Sequence, residues 1–585
     1  MCGIAGALLN RPCEKTLLDM LDKMEYRGYD SCGIGTISEN QLEIRKMPGS
    51  THDYQQRFFP NKNDFVGIGH TRWATHGKVN EINSHPHADN TNTFAVVHNG
   101  VIENYKELKQ LLTSKGFTFQ SETDTEIIPN LIYYYYHYED KDFLQSVRET
   151  VALIEGAYAI AVISKLSPKE MIVSRRGSPL IVGRTPEGYL VASDIGALAP
   201  YTNDLWRLED GDVAVLYTDL SAMNQSQFQT ENLELEEISK GNYPYFMLKE
   251  IMEQSDVVER CIAGRVTYEG IKLGGIEKYK KQIRECFDYT FTGHGSSYHA
   301  ALLGKQIFDN LLNSGRNKVE YSSELNPQKL ENNILISLSQ SGETGDLVDL
   351  LRKVPKPTLK VGITNSVGSN LSQLTDCGIY LRAGKEIGVA ATKTFACQLV
   401  TLLMLAHYLK GDQDSIKRFL RLSEKINNTL SLNDEIFYIS KRYDKHNWFF
   451  IGNGYNYPLA LEAALKMKEI SQVPALGCLA TELKHGTLSL IDTQSVIVIL
   501  FNQEDTKAAL AAYEIKARGG QVIGIGSNDE YAVDCHHYIQ IPSENDEFET
   551  IYKTIVTQLM AYHMAILRGC NPDKPRNLAK SVTVK

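Results

Sequence analysis

The second half of the sequence repeats one pattern, and this duplication narrows the folds open to the chain. From about residue 285, apolar strands alternate with glycine-rich loops and helical patterns; two of the strands are NILISL at 333–338 and LKVGITN at 359–365. Similar strands, SVIVIL at 495–500 and QVIGIGS at 521–527, each lie 162 residues further along. Strands that alternate with helices are typical of a parallel sheet with helices on both faces. The repeat therefore predicts two copies of a doubly wound α/β domain.

The first part of the chain follows a different pattern. Short apolar runs bounded by turn residues predict strands, and two helical patterns, KTLLDMLDKMEY and EIIPNLIYYYYHY, interrupt them. The runs are FVGIG, TFAVVHNG, AYAIAVIS, EMIVSRRGSPLIVG and YLVASD. Strands that follow one another without regular helical crossovers favour antiparallel sheets, so we expect an α+β domain here.

Shifts in composition indicate the domain boundaries. A polar stretch, LSAMNQSQFQTENLELEEISKGNYP, separates the two parts. We expect an N-terminal domain at 1–238, two α/β copies at 243–425 and 426–565, and a C-terminal tail at 566–585. The tail has almost no apolar periodicity, so it is ordered only where another part of the chain holds it.

Charge and cysteine usage exclude several classes of function. The 585 residues carry a net charge of −10 and no basic stretch, so we expect no nucleic-acid partner. No apolar run is long enough to cross a bilayer, and the N-terminus lacks the pattern of a signal peptide. The ten cysteines contain no CxxC pair, which argues against a disulfide framework and against a zinc site. We therefore expect a cytoplasmic protein without a membrane partner.

Cys2 directly follows the initiator methionine. If Met1 is removed, Cys2 carries a thiol and a free α-amine on the same carbon. An α-amine has a pKa of about 7.7–8.0, so it can take the thiol proton near neutral pH and activate the sulfur as a nucleophile. For Cys2 taken alone, a buried structural cysteine is an equally good interpretation.

Several motifs in the first 126 residues accompany Cys2: EYRGYDSCG, GHTRWATHG, VVHNG and SETDTE. Together with MCGIAG they resemble the class II glutamine amidotransferases, whose nucleophile is an N-terminal cysteine. The resemblance implies that Cys2 attacks the side-chain amide of glutamine and that Asn99 and Gly100 stabilise the oxyanion. Arg72 would bind the α-carboxylate and Asp124 the α-ammonium group. The full set assigned to glutamine is Arg27, Arg72, Trp73, Thr75, His76 and Asp124.

The first α/β copy contains SLSQSGETGD, in which a strand ends in small hydroxyl residues just before a helix begins. Hydroxyls and backbone N–H groups at a helix N-terminus bind anions; because the loop lacks the lysine of a P-loop, it suits a single sugar phosphate. The loop resembles the phosphate loop of sugar isomerase (SIS) domains. That resemblance assigns the phosphate to Ser296, Ser339, Gln340, Ser341 and Thr344. For this segment alone, a serine-rich helix cap is the alternative.

The second α/β copy carries ionisable groups instead of such a loop. Glu462, Lys466 and Glu469 in EAALKMKEI lie on one helix face, and by themselves they would be interpreted as a solvated stripe. Together with TELKHGTLSLID and the tail DKPRNLAKSVTVK, they resemble the isomerising glutamine–fructose-6-phosphate aminotransferases, in order and over essentially the whole chain.

This resemblance implies the chemistry of the sugar half. His485 would open the sugar ring, Lys580 would form a Schiff base with C2 of the ketose, and Glu469 would move a proton between C1 and C2. Lys466 would serve the O1 proton, and Arg576 would steady the tail. No metal or other cofactor is expected, because enolisation is acid/base chemistry. The substrates would be glutamine and fructose 6-phosphate, and the family implies a homodimer in which His485 completes the partner's site.

The sequence departs from the family pattern at a few positions. Thr481 and Thr487 replace the glycine and proline usual around LKHG, Ser255 stands where proline is usual, and His294 stands where cysteine is common. Two rival functions stay open: a relative that aminates another keto-sugar phosphate, and a sugar-phosphate sensor with an inactive glutaminase. Lys580, together with the predicted base and ring-opening histidine, argues against a sensor, because binding alone requires none of these groups.

Overall fold

The computed structural model describes residues 2–58, 63–73, 77–219, 225–230, 239–286, 288–312, 316–330, 333–444 and 447–581. The chain divides into two compact units. Unit 1 is Met1–Ser239 with Ala579–Val584, and unit 2 is Lys240–Leu578. The expected division of the second half at residue 425 stays a prediction.

Unit 1 contains two sheets whose neighbouring strands pair antiparallel. The larger sheet has the order β13-β11-β9-β10-β1-β4-β2-β3, and the smaller has the order β12-β8-β7-β6-β5. The strands are β1 (Gly3–Leu9), β2 (Ser31–Ser38), β3 (Gln41–Pro48), β4 (Val66–Arg72), β5 (His87–Ala88), β6 (Phe94–Ile102), β7 (Gly156–Ser164), β8 (Glu170–Arg176), β9 (Ile181–Thr185), β10 (Gly188–Ala192), β11 (Asp204–Arg207), β12 (Val213–Tyr217) and β13 (Gln229–Thr230).

The two sheets of unit 1 pack face to face, with helices on their outer faces. Along β1, Ile4 and Leu8 pack with Val97 of the smaller sheet, whereas Ala5 and Ala7 pack with α1. Because side chains alternate along a strand, β1 is buried on both faces. The helices are α1 (Glu14–Met24), α2 (Thr51–Arg57), α3 (Tyr105–Ser114), α4 (Ile127–Tyr138), α5 (Phe143–Leu153) and α6 (Ile195–Leu198). The α4 and α5 helices cover the smaller sheet, and the predicted α+β class is confirmed.

The apolar run EMIVSRRGSPLIVG forms two strands, which lie in different sheets. β8 belongs to the smaller sheet and β9 to the larger one. The chain turns between them at Gly177, whose φ is +79°, and at the Ser178–Pro179 pair that follows. A left-handed glycine followed by proline ends a strand, because proline has no N–H to continue the ladder.

Unit 2 contains the duplicated architecture that the sequence predicts. Its strands are β14 (Val266–Thr267), β15 (Gly270–Ile271), β16 (Tyr289–Thr292), β17 (Lys318–Glu320), β18 (Ile334–Ser339), β19 (Leu359–Thr364), β20 (Cys377–Tyr380), β21 (Asn447–Gly452), β22 (Ala475–Leu479), β23 (Ser495–Leu500), β24 (Gln521–Gly526) and β25 (His537–Gln540). Two five-stranded sheets have the orders β17-β16-β18-β19-β20 and β22-β21-β23-β24-β25, and both are parallel. The two orders are the same, 2-1-3-4-5 within each sheet. The prediction of two doubly wound copies is confirmed.

The helices of unit 2 pack around and between the two parallel sheets. They are α7 (Phe246–Met252), α8 (Gln254–Ile262), α9 (Lys280–Glu285), α10 (Ser296–Leu312), α11 (Gly345–Lys353), α12 (Asn370–Leu374), α13 (Lys393–Lys410), α14 (Ile416–Leu420), α15 (Leu422–Leu430), α16 (Asn433–Arg442), α17 (Asn456–Ser471), α18 (Thr506–Lys516) and α19 (Asp546–Leu567). α13 and α19 are buried on almost every side, and one apolar cluster contains residues of both sheets. Across the described residues, the structure has no helix with the length and apolar character needed to span a membrane.

Candidate active sites

Cys2 immediately precedes β1, which pairs with β4 in the larger sheet. The backbone N–H of Trp73 donates a hydrogen bond to the Cys2 sulfur at 3.2 Å, and the Cys2 thiol faces the Trp73 carbonyl oxygen at 3.6 Å. Gly28 of the YRGYDS motif makes this arrangement possible, since a Cβ there would lie 2.7 Å from the Arg72–Trp73 backbone. Cys2 is half-buried and lies at the surface of the core rather than within it.

The environment of Cys2 does not produce a thiolate by itself. Burial raises the pKa of the Cys2 thiol above its ordinary value, although the Trp73 N–H and the Arg72 cation oppose that effect. At neutral pH the sulfur therefore needs a base to become a nucleophile. The α-amine that removal of Met1 would expose is attached to the same residue.

Asn99 and Gly100 lie in β6 beside Cys2. The side-chain Nδ2 of Asn99 donates a hydrogen bond to the Cys2 carbonyl oxygen at 2.9 Å, which places this amide next to the N-terminal residue. Gly100 has φ +126°, and a Cβ at that position would lie 1.9 Å from the carbonyl oxygen of Ala157. Only glycine fits there, so the HNG motif has a steric cause as well as a chemical one.

The residues predicted to bind glutamine lie on three segments of unit 1. Arg72 ends β4 and is almost fully buried; burial lowers the pKa of its guanidinium. Asp124 is also buried, and one carboxylate oxygen accepts a hydrogen bond from the Ile102 N–H at 2.7 Å. The Trp73 ring packs edge-on against Tyr29. The predicted residues Thr75 and His76 lie outside the described residues.

Arg27 is held by an acidic and a phenolic partner. Its Nη2 and Nε lie 2.5 Å and 3.0 Å from Asp194 Oδ2, and its Nε lies 3.2 Å from the Tyr26 hydroxyl. Tyr26 also donates to Asp194. The neighbouring Ser193 accepts a hydrogen bond from the Ile4 N–H at 3.0 Å. Arg27 thus belongs to a buried network beside the first strand, and the sequence did not indicate its partners.

The predicted phosphate loop lies in unit 2 at the carboxyl end of β18, where β18 neighbours β16. In sheets of this strand order, ligands bind where the chain connections diverge to opposite sides, which is here between β16 and β18. Ser339 ends β18 and its hydroxyl lies 3.0 Å from that of Thr344 and accepts from the Gly342 N–H at 3.0 Å. Gly342 has φ +69° and no room for a Cβ, which would lie 2.2 Å from the Ser369 hydroxyl.

The loop ends in the first turn of α11. Thr344 precedes this helix but makes no side-chain cap, while Ser341 accepts a hydrogen bond from the Glu343 N–H at 3.2 Å. Gln340 is fixed through its carbonyl oxygen, which accepts from the Asn365 N–H at 3.1 Å. The first turn of α11 therefore keeps backbone N–H groups that its N-cap side chain does not satisfy, and such groups attract an anion.

A second cluster joins the first and second copies within unit 2. Glu462 on α17 accepts from Nδ1 of His299 on α10 at 2.7 Å and is also hydrogen-bonded to Ser296. Lys466, one turn along α17, lies 3.5 Å from Glu462 and bonds Glu469 as well. The side chains of Lys466 and Glu462 are only 1% and 3% exposed. They are therefore not the solvated stripe that their spacing alone would indicate.

The charges in this cluster stabilise one another. Burial by itself would raise the pKa of Glu462, but the Lys466 ammonium and His299 outweigh it and leave the pKa below the usual value. Burial would likewise lower the pKa of Lys466, but the carboxylates of Glu462 and Glu469 raise it above the usual value. The lysine is therefore a permanent hydrogen-bond donor and Glu462 is an ionised acceptor at neutral pH.

Three further predicted residues lie outside this cluster. His485 ends a short 3-10 segment, Ala480–His485, and its side chain is exposed. Arg576 is exposed in the tail, whereas Lys580 is half-buried. Lys580 belongs to the 579–584 segment of unit 1.

Sequence reasoning missed several side chains that hold these sites. Asp194 fixes Arg27, His299 fixes Glu462, and His70 bonds Asn99. His70 and His299 stand inside motifs that the sequence displays, GHTRWATHG and GHGSSYHA, but their partners lie on other elements. Among the described residues, no three histidine, cysteine or acidic side chains gather where they could hold a metal ion.

The fold and the candidate sites define an amidotransferase-type α+β domain, with Cys2 directly before its first strand, followed by a pair of α/β domains of the sugar-isomerase type. Comparison with known proteins agrees: a glutamine amidotransferase domain matches residues 70–200, and SIS domains match residues 283–408 and 442–568. The sequence is 38% identical to glutamine–fructose-6-phosphate aminotransferase (isomerizing) of Bacteroides thetaiotaomicron and 39% identical to that of Pyrococcus horikoshii, covering 100% of each chain.

A solved structure carries the same similarity for the second half. The C-terminal domain of the glucosamine-fructose-6-phosphate aminotransferase from Francisella tularensis matches with 30% identity and a TM-score of 0.54, over 57% of this chain and 99% of that one. The chain belongs to the family of isomerizing glutamine–fructose-6-phosphate aminotransferases. The resemblance inferred from the motifs is confirmed, and the protein is an enzyme.

Proposed function

We propose that this enzyme transfers the amide nitrogen of glutamine to fructose 6-phosphate and isomerises the product, giving glucosamine 6-phosphate and glutamate. The observation that carries the proposal is the bonding of Cys2 to both Trp73 and Asn99 in a chain whose relatives of this activity match it from end to end. The phosphate loop and the buried carboxylate–lysine cluster of unit 2 support the sugar half.

In the glutaminase half, Cys2 is the nucleophile. The α-amine of Cys2 takes the thiol proton as the sulfur attacks the carboxamide carbon, and the negative charge moves to the amide oxygen. Nδ2 of Asn99 and the N–H of Gly100 donate to that oxygen. The ammonium formed by the α-amine returns its proton to the leaving nitrogen, ammonia departs and a thioester remains. Water then hydrolyses the thioester to glutamate and regenerates the thiol.

The ends of glutamine are held by opposite charges. Arg72 pairs with the α-carboxylate, and it is suited to that role because a guanidinium donates to both carboxylate oxygens. Asp124 pairs with the α-ammonium group through the oxygen that does not accept from Ile102. Trp73 also contacts glutamine, and Thr75 and His76 are the remaining residues assigned to its binding. Arg27 orders the N-terminal strand through Asp194.

In the sugar half, the phosphate is held by the loop that leads into α11. The hydroxyls and backbone of Ser339, Ser341 and Thr344 surround it, with Gln340 and Ser296 at its edge. His485 protonates the ring oxygen as the sugar opens. The side-chain amine of Lys580 then adds to the C2 carbonyl, and the C2 oxygen leaves as water when the imine forms. Ammonia displaces the lysine nitrogen at C2.

Glu469 completes the isomerisation. It takes the proton from C1 and returns it to C2. The O1 hydroxyl loses its proton and the nitrogen at C2 gains one, while Lys466 is hydrogen-bonded to O1, so the ketose imine becomes an amino aldose. The cluster supports this division of roles because Lys466 stays protonated beside two carboxylates. Arg576 steadies the tail that carries Lys580.

Incubation with glutamine and fructose 6-phosphate, followed by mass spectrometry of the sugar products, tests the proposal. The same incubation with other ketose phosphates is the matched comparison. We expect glucosamine 6-phosphate from fructose 6-phosphate and little product from the others. Preferred amination of another ketose phosphate would identify the related activity, and sugar binding without glutamine hydrolysis would identify a sensor.

We further infer a homodimer in the cytoplasm. The exposure of His485 supports a dimer, since a side chain that completes the partner's site would be exposed in a single chain. The ten unpaired cysteines support a reducing compartment. Light scattering coupled to size-exclusion chromatography measures the mass directly; a mass equal to one chain would contradict the dimer.

A further inference from the structure

His70 and Asn99 meet across the two sheets of unit 1. His70 lies in β4 of the larger sheet and is 1% exposed, while Asn99 lies in β6 of the smaller sheet. Nε2 of His70 is 3.0 Å from Oδ1 of Asn99 and 3.1 Å from the carbonyl oxygen of His98. The other end of the same carboxamide, Nδ2 of Asn99, donates to Cys2.

The neighbours of the His70 ring define its tautomer. The backbone carbonyl oxygen of His98 can only accept, so Nε2 carries the hydrogen. Nδ1 has no hydrogen-bond partner among the described residues, which suits a bare acceptor nitrogen better than a donor. Burial lowers the pKa of His70 to about 3, so the ring is neutral and its single N–H is the one at Nε2.

The ring of His70 is also fixed in direction. It stacks on His85 with centroids 4.1 Å apart and planes 24° apart, and the register of β4 sets His70 opposite Ile4 of β1. A buried, stacked ring loses little further freedom when it donates. The N–H of His70 is therefore held in one direction, where Oδ1 of Asn99 and the carbonyl oxygen of His98 share it.

We propose that His70 is a positioning residue for amide hydrolysis, because it sets which end of the Asn99 carboxamide faces Cys2. The inference rests on the proposed role of Asn99 as an oxyanion donor. A carboxamide has nearly the same shape after a half-turn, so packing alone does not distinguish its two ends. After such a turn, Oδ1 would face the developing oxyanion and repel it. The His70 donor at one end of the carboxamide and the Cys2 carbonyl acceptor at the other both favour the orientation in which Nδ2 faces the site.

A matched pair of variants separates the hydrogen bond from the packing. His70→Phe keeps a ring that can stack on His85 but removes the donor, while His70→Gln removes the ring but places an amide N–H near the position of Nε2. Loss of an oxyanion donor lowers kcat by about 10²–10³-fold. This is the largest loss of kcat that we expect from His70→Phe. We expect His70→Phe to lower the kcat of glutamine hydrolysis at least about tenfold with little change in KM, and His70→Gln to restore most of the loss.

Two controls show whether the loss acts through Asn99. Alkylation of Cys2 by iodoacetamide involves no oxyanion, so we expect its rate, followed on the Cys2 peptide, to change by less than about twofold in His70→Phe. In an Asn99→Ala background we expect His70→Phe to add less than about threefold, because residues that act as a unit are not additive. Equal kcat in His70→Phe and the unaltered chain, or an undiminished effect in Asn99→Ala, would overturn the inference.

The proposed function and this inference fail in different ways. Full hydrolysis by Asn99→Ala would remove the oxyanion role of Asn99 itself, whatever His70 does. If the phenylalanine variant does not fold, neutron diffraction of the unaltered chain decides the question. A hydrogen on Nε2 of His70 and an Asn99 amide nitrogen facing Cys2 are expected, and a hydrogen on Nδ1 alone would overturn the proposal.

Discussion

His299 and Glu462 lie 163 residues apart in the chain, and Nδ1 of the histidine is 2.7 Å from a carboxylate oxygen of the glutamate. The pair joins α10 of the first α/β copy to α17 of the second. From Glu462 the contacts continue to Lys466 and then to Glu469. The two copies share one topology, but the predicted phosphate loop lies on the first and the ionisable cluster on the second. Under the proposed function, the duplicated halves therefore contribute different groups to one sugar site.

We expect a substitution in the phosphate loop to weaken the binding of fructose 6-phosphate without affecting glutamine hydrolysis. Thr344→Val removes a hydroxyl that lies 3.0 Å from that of Ser339. A hydrogen bond to a charged group contributes about 1.5–3 kcal/mol, so we expect the KM for fructose 6-phosphate to rise about 10–100-fold. Glutamine hydrolysis measured without sugar should not change. Thr375→Val, whose hydroxyl bonds the Leu371 carbonyl, is the control; an unchanged KM in Thr344→Val would place the phosphate elsewhere.

Gly100 predicts a severe effect of one added methyl group. In Gly100→Ala the new Cβ would lie 1.9 Å from the Ala157 carbonyl oxygen at a φ of +126°. Overpacking costs about 1–3 kcal/mol and a left-handed backbone about 1–2 kcal/mol more. We expect a lower unfolding temperature and loss of glutamine hydrolysis.

Gly116→Ala is the matched control for this change. Gly116 also has a positive φ, +92°, but nothing lies within 4 Å of its added Cβ. Only the backbone strain of about 1–2 kcal/mol remains, so hydrolysis should be kept. Equal activity in the two variants would show that the steric reason given for the HNG motif is wrong.

Buried histidines predict acid sensitivity of unit 1. Burial lowers the pKa of His70 to about 3 and the pKa values of His85, His87 and His98 below their usual range. Between the unfolded value of about 6.5 and these folded values, the unfolded chain binds protons that the folded chain does not. Each such histidine therefore removes up to about 1.4 kcal/mol of stability per pH unit as the pH falls.

Thermal unfolding between pH 7.5 and 5.5 measures this dependence. His85→Phe keeps a ring that can stack on His70 but takes up no proton, so its unfolding temperature should fall less steeply with acidification. An unfolding temperature of unit 1 that does not depend on pH in this window would contradict the buried, neutral state of the four rings.

The tail predicts a covalent intermediate. Borohydride added with fructose 6-phosphate should trap an adduct on Lys580, found by peptide mass spectrometry. Lys580→Arg keeps the charge but cannot form the imine, so amino-sugar synthesis should stop while glutamine hydrolysis continues. Lys574→Arg in the same tail is the control and should keep synthesis. Synthesis that survives deletion of residues 580–585 would show that the tail lysine takes no part.

Much of this architecture follows from local patterns. The repeat at 162 residues predicts two parallel sheets because each strand, loop and helix forms its own unit, and the structure contains two parallel sheets of one strand order. In such a case the cause lies within a few residues of the pattern.

The contacts that complete the sites could not be predicted in this way. His70 reaches Asn99 only because two sheets pack face to face, and His299 reaches Glu462 only because α10 packs beside α17. The spacing of apolar and polar residues indicates which face of a helix or strand is buried. It does not indicate which other element packs against that face. The spacing of Glu462 and Lys466 therefore indicated a surface stripe, although both side chains are buried in the structure.

Transfer of labelled nitrogen tests the central claim most directly. The chain is incubated with fructose 6-phosphate and glutamine labelled with ¹⁵N in the side-chain amide, and the sugar is analysed by mass spectrometry. We expect glucosamine 6-phosphate that carries ¹⁵N from the unaltered chain and no such product from Cys2→Ala. We also expect the first residue of the active protein to be Cys2. An amino sugar without ¹⁵N, or a labelled product formed equally well by Cys2→Ala, would contradict the central claim.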